Sequence, residues 1–343
     1  MTIRQLGAGL ISLPILLVLG AVHVLTGRTP APAYQSMIRM FCLTHGRSND
    51  LLAAFVGIFR RPVALPAPVG ILGSLTPARV EEVAQEIRKR GFFVFEEQIP
   101  ADMVRRLVEF ALSTECWKRP MSGERNTPGC PVSRKYDREN PAAVRYDFDP
   151  EIVVNNPDVQ NLMADASILS VAQAYLGSLP MADVTSMWWH TAYSDQPDED
   201  AAQMFHFDMD RIRWLKLFIY LTDVGPGNGP HCFIEGSHRT GGIPSSLLSK
   251  RYARLTDEEV SRHFQADRFV EFTAPAGTII LEDTRGLHKG KVVRSGDRLM
   301  LQLQFSNSLF GATYPRSRFK YPLNPDLAMR VRDHPSIYSN YLA

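Results

Sequence analysis

An imidazole and a carboxylate stand two residues apart in His206-Phe207-Asp208. In an extended segment, alternation puts both side chains on one face. Such a pair can hold one metal ion and leave other coordination positions open. His288, within EDTRGLHKGKVVRSGDR, is the best candidate for a third ligand. Two neutral imidazoles and one carboxylate with open positions form the facial triad of non-heme Fe(II) oxygenases. Ten residues past His288 stands Arg298, a fixed cation able to grip a carboxylate through a bidentate fork. A co-substrate that chelates iron and carries a second, distal carboxylate would use both features. 2-Oxoglutarate is such a molecule.

Short strands must position these groups. From Met181 the chain reads MADVTSMWWHTAYS, WLKLFIYLTDV, HCFIEGS, RFVEFTAP, GTIILED, KGKVV and RLMLQLQFSNS, separated by Gly, Pro, Asp and Asn. That texture predicts a sandwich or barrel. Alternation along RLMLQLQF gives Arg298, Met300, Gln302 and Gln304 one face. Upstream, Thr76-Pro77 opens a helix to about Arg90, with threonine as N-cap and proline in the first turn. GFFVFEE is a strand, and Pro100 starts a second helix running to about Thr114. Residues 157–176 show helical spacing ended by Gly177, and 34–59 read as a helix before the extended linker PVALPAPVG. Residues 118–142 lack periodicity, which predicts a functional lid or a mobile segment.

The ordered set resembles the phytanoyl-CoA dioxygenase family of Fe(II)/2-oxoglutarate oxygenases. Its matching pieces are His206-x-Asp208, LKLFIYLTDV, the NGP and GSHR turns, AGTIILED, and His288 followed by Arg298. The resemblance extends upstream through RGFFVFEEQIPADMVRRL and NPDVQNLMADASILSVAQAYLG, and so covers roughly residues 76–312. It implies an α+β fold, a double-stranded β-helix (jelly roll) flanked by helices, with the metal at its mouth. It also implies Fe(II) held by His206, Asp208 and His288, 2-oxoglutarate held by Arg298, and O2 as oxidant. Thr278 and Tyr220 are candidates for further hydrogen bonds to the same co-substrate carboxylate. Asp210 shares the parity of Asp208 and is a rival carboxylate; the family's spacing selects Asp208. Related halogenases lack a carboxylate at that position, and this chain retains one. His190 either lines the pocket or packs, while His231 and His238 fall in GNGPHCFIEGSHR, where a role in the fold outweighs ligation. Two departures stand out: Phe207 where some members carry glutamine, and Gly290 where serine is frequent.

Length and charge set the remaining bounds. The 343 residues carry a formal charge of +2, and no basic block with interleaved aromatics argues for nucleic acid. The four cysteines are scattered without a CxxC pair, which predicts reduced thiols. Residues 6–26 contain no acid, lysine or arginine and have the length of a bilayer span. We therefore expect a membrane anchor in 1–28, a helical segment and linker in 29–75, and the oxygenase domain in 76–343. Arg28, Arg39 and Arg47 follow the apolar run, which puts the catalytic part on the cytoplasmic side of a membrane; without an anchor the protein would be cytoplasmic. Anchoring makes a lipid, acyl or lipid-linked glycan substrate the leading expectation. The alternatives are a small secondary metabolite and a non-catalytic jelly-roll binding module. Residues 118–142, the acidic loop SDQPDED, and Arg134, Lys135 and Arg145 are candidates for the substrate rim.

Overall fold

The computed structural model describes residues 3–121 and 132–342, with side chains from residue 11 onward. Its first three helices are α1 (Ile3–Thr26), α2 (Ala31–Thr44) and α3 (Arg47–Phe59). The single helix expected over 34–59 is broken at His45 and Gly46, both in the left-handed region (φ 54° and 93°). There the chain turns α3 back against the body of the protein. Leu16 of α1 and Met37 and Phe41 of α2 join one apolar cluster with Phe205, Phe207, Met209 and Ile234. Asn49 of α3 donates to the carbonyl of Ile212 at 3.1 Å, and Asp50 pairs with Arg213 and Arg285.

These contacts change the expectation for the N-terminal stretch. Among the described residues, no helix is long and apolar enough to cross a membrane. The described part of α1 instead lies on α2, burying Ser12 and Leu16, while Leu17, Val18 and Leu25 on its other side are exposed. The side chains of residues 6–10 of the expected anchor lie outside the described residues. An apolar run of this length is the signature of a buried helix as well as of a span, and composition cannot separate the two.

Thr76 caps α4 (Pro77–Arg90) by accepting from the Arg79 N–H, and Gly91 ends it at φ 99°. Val80, Val83, Ala84 and Ile87 form the buried stripe of that helix. Helix α5 (Ala101–Ser113) follows the first long strand. The segment 157–176 forms two helices, α6 (Pro157–Ala164) and α7 (Ala166–Leu176). Asp165 separates them, ending the first and capping the second by accepting from the Ile168 N–H at 3.0 Å.

Among the described residues, eleven strands from Phe92 onward build the two main sheets. They are β1 (Phe92–Gln98), β2 (Cys116–Lys118), β3 (Val132–Arg134), β4 (Arg145–Asp147), β5 (Met181–Thr191), β6 (Trp214–Tyr220), β7 (His231–Ile234), β8 (Phe269–Phe272), β9 (Thr278–Glu282), β10 (His288–Gly290) and β11 (Asp297–Ser306). One antiparallel sheet has the order β1-β9-β6-β11-β5-β4-β2-β3, and a smaller one the order β8-β7-β10. Two facing antiparallel sheets with helices outside fit the expected jelly roll. KGKVV contributes only its first two residues to β10; the Lys291 N–H still meets the Pro230 carbonyl in register, but proline has no N–H to return and the ladder ends there. The described cysteines, Cys42, Cys116 and Cys232, are free thiols, and Cys130 lies outside the described residues.

Candidate metal and co-substrate site

Backbone pairing brings the metal-ligand candidates together. His206 and His288 face each other in an antiparallel bridge, each donating its N–H to the other's carbonyl at 3.0 and 2.9 Å. The Asp208 N–H donates to the Thr284 carbonyl at 2.8 Å, out of register with that bridge, and so ties the second ligand to the turn before His288. Alternation then turns His206 and Asp208 to the cavity between the sheets. Phe207 points the other way and stacks on Phe41 at 5.5 Å, so it has no access to a co-substrate.

The side chains of His206, Asp208 and His288 are all buried, and one ligand atom from each lies within 4.8 Å of the others. His206 Nδ1 lies 2.9 Å from the Met204 carbonyl, and His288 Nδ1 lies 2.9 Å from the Gly286 carbonyl. A carbonyl only accepts, so both rings carry their proton on Nδ1 when neutral and offer the Nε2 lone pair. Those Nε2 atoms lie 3.7 and 3.5 Å from the Asp208 oxygens. Burial, then His288, holds His206 well below the usual imidazole range. Burial opposes charge on Asp208, but Lys216 and His288 outweigh it and keep the carboxyl well below its ordinary value. Two imidazole nitrogens and one carboxylate on one side fit Fe(II) with positions left for a chelate and O2.

Arg298 lies deeper in the same cavity, 1 % exposed. Its Nη2 donates to His190 Nδ1 at 2.8 Å, whereas Nε and Nη1 are buried without a partner. Burial without an acid lowers its pKa to about 10. A Cβ on Gly290 would come within 2.7 Å of Nη2, so the glycine at this position makes room for the guanidinium. Two unpaired N–H groups on a buried cation suit a carboxylate delivered by a ligand. His190 lines the cavity as well as packing. It accepts from Trp188 Nε1 and Arg298 at Nδ1, and Nε2 donates to the Ala201 carbonyl at 2.9 Å.

Thr278 and Tyr220 are used by the fold. The Thr278 hydroxyl donates to the Pro275 carbonyl at 2.8 Å. Tyr220 donates to the Phe272 carbonyl and accepts from the His231 N–H, both at 3.0 Å. Neither lines the cavity, and both owe their places to strand ends that needed a polar partner. Arg145 and Asp200 line the cavity, whereas Arg134 and Lys135 do not; residues 122–131 of the expected rim lie outside the described residues.

Two groups escaped the sequence reading. Lys216 Nζ sits 2.6 Å from Asp208 and 3.1 Å from Asp210, buried with both. Glu282, in the buried strand β9, lies 2.8 Å from His231 Nε2, and burial pushes its carboxyl up to about 8. It therefore keeps its proton at neutral pH and can donate to His231. A lysine in LKLFIYL and a glutamate in TIILE were each signals, because a charge in an otherwise apolar strand needs a partner. His238 bonds through Nε2 to the Arg88 carbonyl at 3.0 Å, which is a role in the fold.

The phytanoyl-CoA dioxygenase (PhyH) family profile matches residues 69–300. The ectoine dioxygenase of Sphingopyxis alaskensis is 27% identical over 215 residues, covering 54% of this chain and 68% of that protein. Among solved structures, the epimerase SnoN in complex with Fe3+, alpha ketoglutarate and nogalamycin RO superposes with a TM-score of 0.46 at 17% identity, over 67% of this chain and 84% of that one. EctD from S. alaskensis with bound Fe gives 0.43 at 20% identity, over 74% and 84%. The profile match spans most of the chain and contains the His206–Asp208 pair, His288 and Arg298. The chain belongs to the phytanoyl-CoA dioxygenase family and is a 2-oxoglutarate-dependent dioxygenase whose cofactors are Fe(II) and 2-oxoglutarate.

Proposed function

We propose that this chain hydroxylates a small polar molecule, with His206, Asp208 and His288 as iron ligands and Arg298 as the grip on the distal carboxylate of 2-oxoglutarate. The observation that carries the assignment is the conjunction of two free Nε2 lone pairs, one carboxylate and an unpaired buried guanidinium in one cavity of about 660 Å3. When bound, iron and 2-oxoglutarate would activate O2 for C–H hydroxylation, one oxygen atom going to the product and the other to succinate, with carbon dioxide released. This chain's own residues orient both. The Met204 and Gly286 carbonyls fix the imidazole tautomers, and His190 holds Arg298 in register. The apolar side chains of Phe218 and Met300 are part of the same cavity lining.

The polarity of the cavity supports a small polar substrate over a lipid. Arg119, Arg145, Asp147, Asp210, Gln302 and Gln304 contribute to its walls, and an alkyl chain there would strip water from charged groups without repaying them. Anaerobic titration of the purified protein with Fe(II) and then 2-oxoglutarate tests the assignment. We expect a visible charge-transfer band that requires both additions and slow succinate release on admitting air. Tight binding of 2-oxoglutarate without iron, or iron without the band, would overturn it.

A further inference from the structure

Arg119, Arg145 and Lys216 in the cavity wall are each ion-paired, the arginines to Asp147 and the lysine to Asp208 and Asp210. Arg254 differs: its Nη1 is buried and has no hydrogen-bond partner. Arg254 shares that condition with Arg298, among the basic residues lining the cavity.

Its location follows from the backbone. Phe205 and Leu255 exchange both N–H bonds, at 3.0 and 2.8 Å, in an antiparallel bridge. Arg254 and His206 are the chain neighbours of that bridged pair, so the guanidinium stands beside the metal-ligand candidates. Tyr252, two residues earlier, packs edge-on against Phe207 at 5.9 Å and, 48% exposed, forms part of the mouth. Asp210, also in the lining, has its carboxyl met by Lys216. Among the described residues, Arg298 and Arg254 are thus the two basic residues of the cavity lining that keep a buried N–H group without a partner. With Arg298 assigned to the co-substrate carboxylate, the Arg254 Nη1 is left for another anion.

We infer that Arg254 receives an anionic group of the substrate, a carboxylate, and thereby fixes which C–H bond faces the metal. The inference rests on the oxygenase assignment above and deepens it by naming the substrate class as small carboxylic acids. A carboxylate satisfies the free Nη1 through a charge-assisted bond that an amide or ester of the same shape makes less well. Anchoring one end of a substrate beside the iron ligands also restricts its orientation, which is where most of the advantage of a bound reaction arises.

The test uses the full chain loaded anaerobically with Fe(II) and saturating 2-oxoglutarate. The probes are a panel of small aliphatic, amino and aromatic carboxylic acids, each paired with its primary amide. Melting temperature and calorimetric affinity are read for the wild type, Arg254→Gln and Arg254→Lys. We expect acids to bind and their amides to bind at least tenfold more weakly, the gap that one charge-assisted contact gives. Arg254→Gln should weaken the best acid by roughly 30-fold and Arg254→Lys by less, with 2-oxoglutarate affinity unchanged in both. Panel acids that bind no better than their amides, or equally well to Arg254→Gln, would overturn the inference. So would loss of 2-oxoglutarate binding in Arg254→Gln, which would place the co-substrate there. Wild-type protein that binds acids through Arg254 yet never gives the charge-transfer band would overturn the iron and 2-oxoglutarate site, and with it the reading of the acid as substrate, while the carboxylate site at Arg254 would stand.

Discussion

Arg298 and His190 face each other directly across the β5–β11 ladder, and the guanidinium donates to Nδ1 of the imidazole at 2.8 Å. The ring is an acceptor there because its other nitrogen donates to a carbonyl. Burial, then Arg298 and Arg145, holds the ring well below the usual imidazole range, so it stays neutral beside the cation. Arg298→Ala should raise the 2-oxoglutarate requirement by roughly 30- to 150-fold, the equivalent of about 2–3 kcal/mol for a charge-assisted bidentate contact. Arg298→Lys should recover part of that loss. His190→Phe should weaken 2-oxoglutarate by less, because it removes only the orienting bond. Iron content should be unchanged in all three; equal 2-oxoglutarate affinity in wild type and Arg298→Ala would move the co-substrate elsewhere.

Gly290 bears on the same guanidinium. Arg298 is the far end of a flexible chain, so a side chain at 290 can be accommodated if Nη2 shifts, but the shift breaks the bond to His190. Gly290→Ser should therefore leave the melting temperature within a few degrees and weaken 2-oxoglutarate several-fold. A serine variant with undiminished affinity would show that the hydroxyl replaces what the shift removes.

The iron site gives a separate expectation. His206→Ala and His288→Ala should each abolish stoichiometric iron retention and succinate release while the far-ultraviolet circular dichroism stays the same, since three protein ligands leave no spare. Asp208→Gly should keep weak iron binding through the two imidazoles yet lose hydroxylation. Metal analysis after gel filtration decides it; a full iron complement in either alanine variant would sink the triad.

Much of this was legible because period two is a strong signal. His206-x-Asp208 and the Arg298–Gln304 face read correctly from alternation alone. Breaks inside helical spacing were harder. Asp165 lies in a run whose apolar positions continue on both sides, so periodicity carried across a cap that only the local bond to Ile168 reveals. His45-Gly46 behaved similarly. Hydroxyl roles were least legible: Thr278 and Tyr220 have the right chemistry, and strand ends claimed them first. At the N-terminus, packing against α2 and passage through a bilayer call for the same residues, and among the described residues no helix is long and apolar enough for the second.

Acid sensitivity has a nameable contributor away from the iron. Asp283 is buried, which works against its charge, but Arg285 outweighs burial and Tyr175 donates to it, bringing the carboxyl down to about 2. Its folded pKa lies below the unfolded one of about 3.9, so its contribution is present above pH ~4 and is lost as pH falls towards 2. The shift corresponds to roughly 2–3 kcal/mol. Asp283→Asn should be less stable than wild type at pH 7 by denaturant titration, and the gap should shrink as the pH drops from 4 to 3. A gap that does not change over that interval would assign the acid sensitivity to other carboxylates.

Lys216 links the metal site to stability. With its amine removed in Lys216→Met, Asp208 and Asp210 remain buried close together without the cation that now holds them both. Breaking a buried pair from one side typically costs about 3–5 kcal/mol, because the partner charge is left uncompensated. The metal-free variant should therefore melt well below wild type. A divalent ion on His206, Asp208 and His288 would return positive charge to Asp208, leaving Asp210 to take a proton. Added Zn(II), which binds the same donors without oxidation chemistry, should consequently raise the melting temperature of Lys216→Met by more than that of wild type. Alanine replacement of His288 in the same background should abolish the extra rise, which ties it to the triad and not to adventitious surface binding. Equal zinc-induced shifts in wild type and Lys216→Met would mean that Lys216 is not compensating the charge a metal would balance.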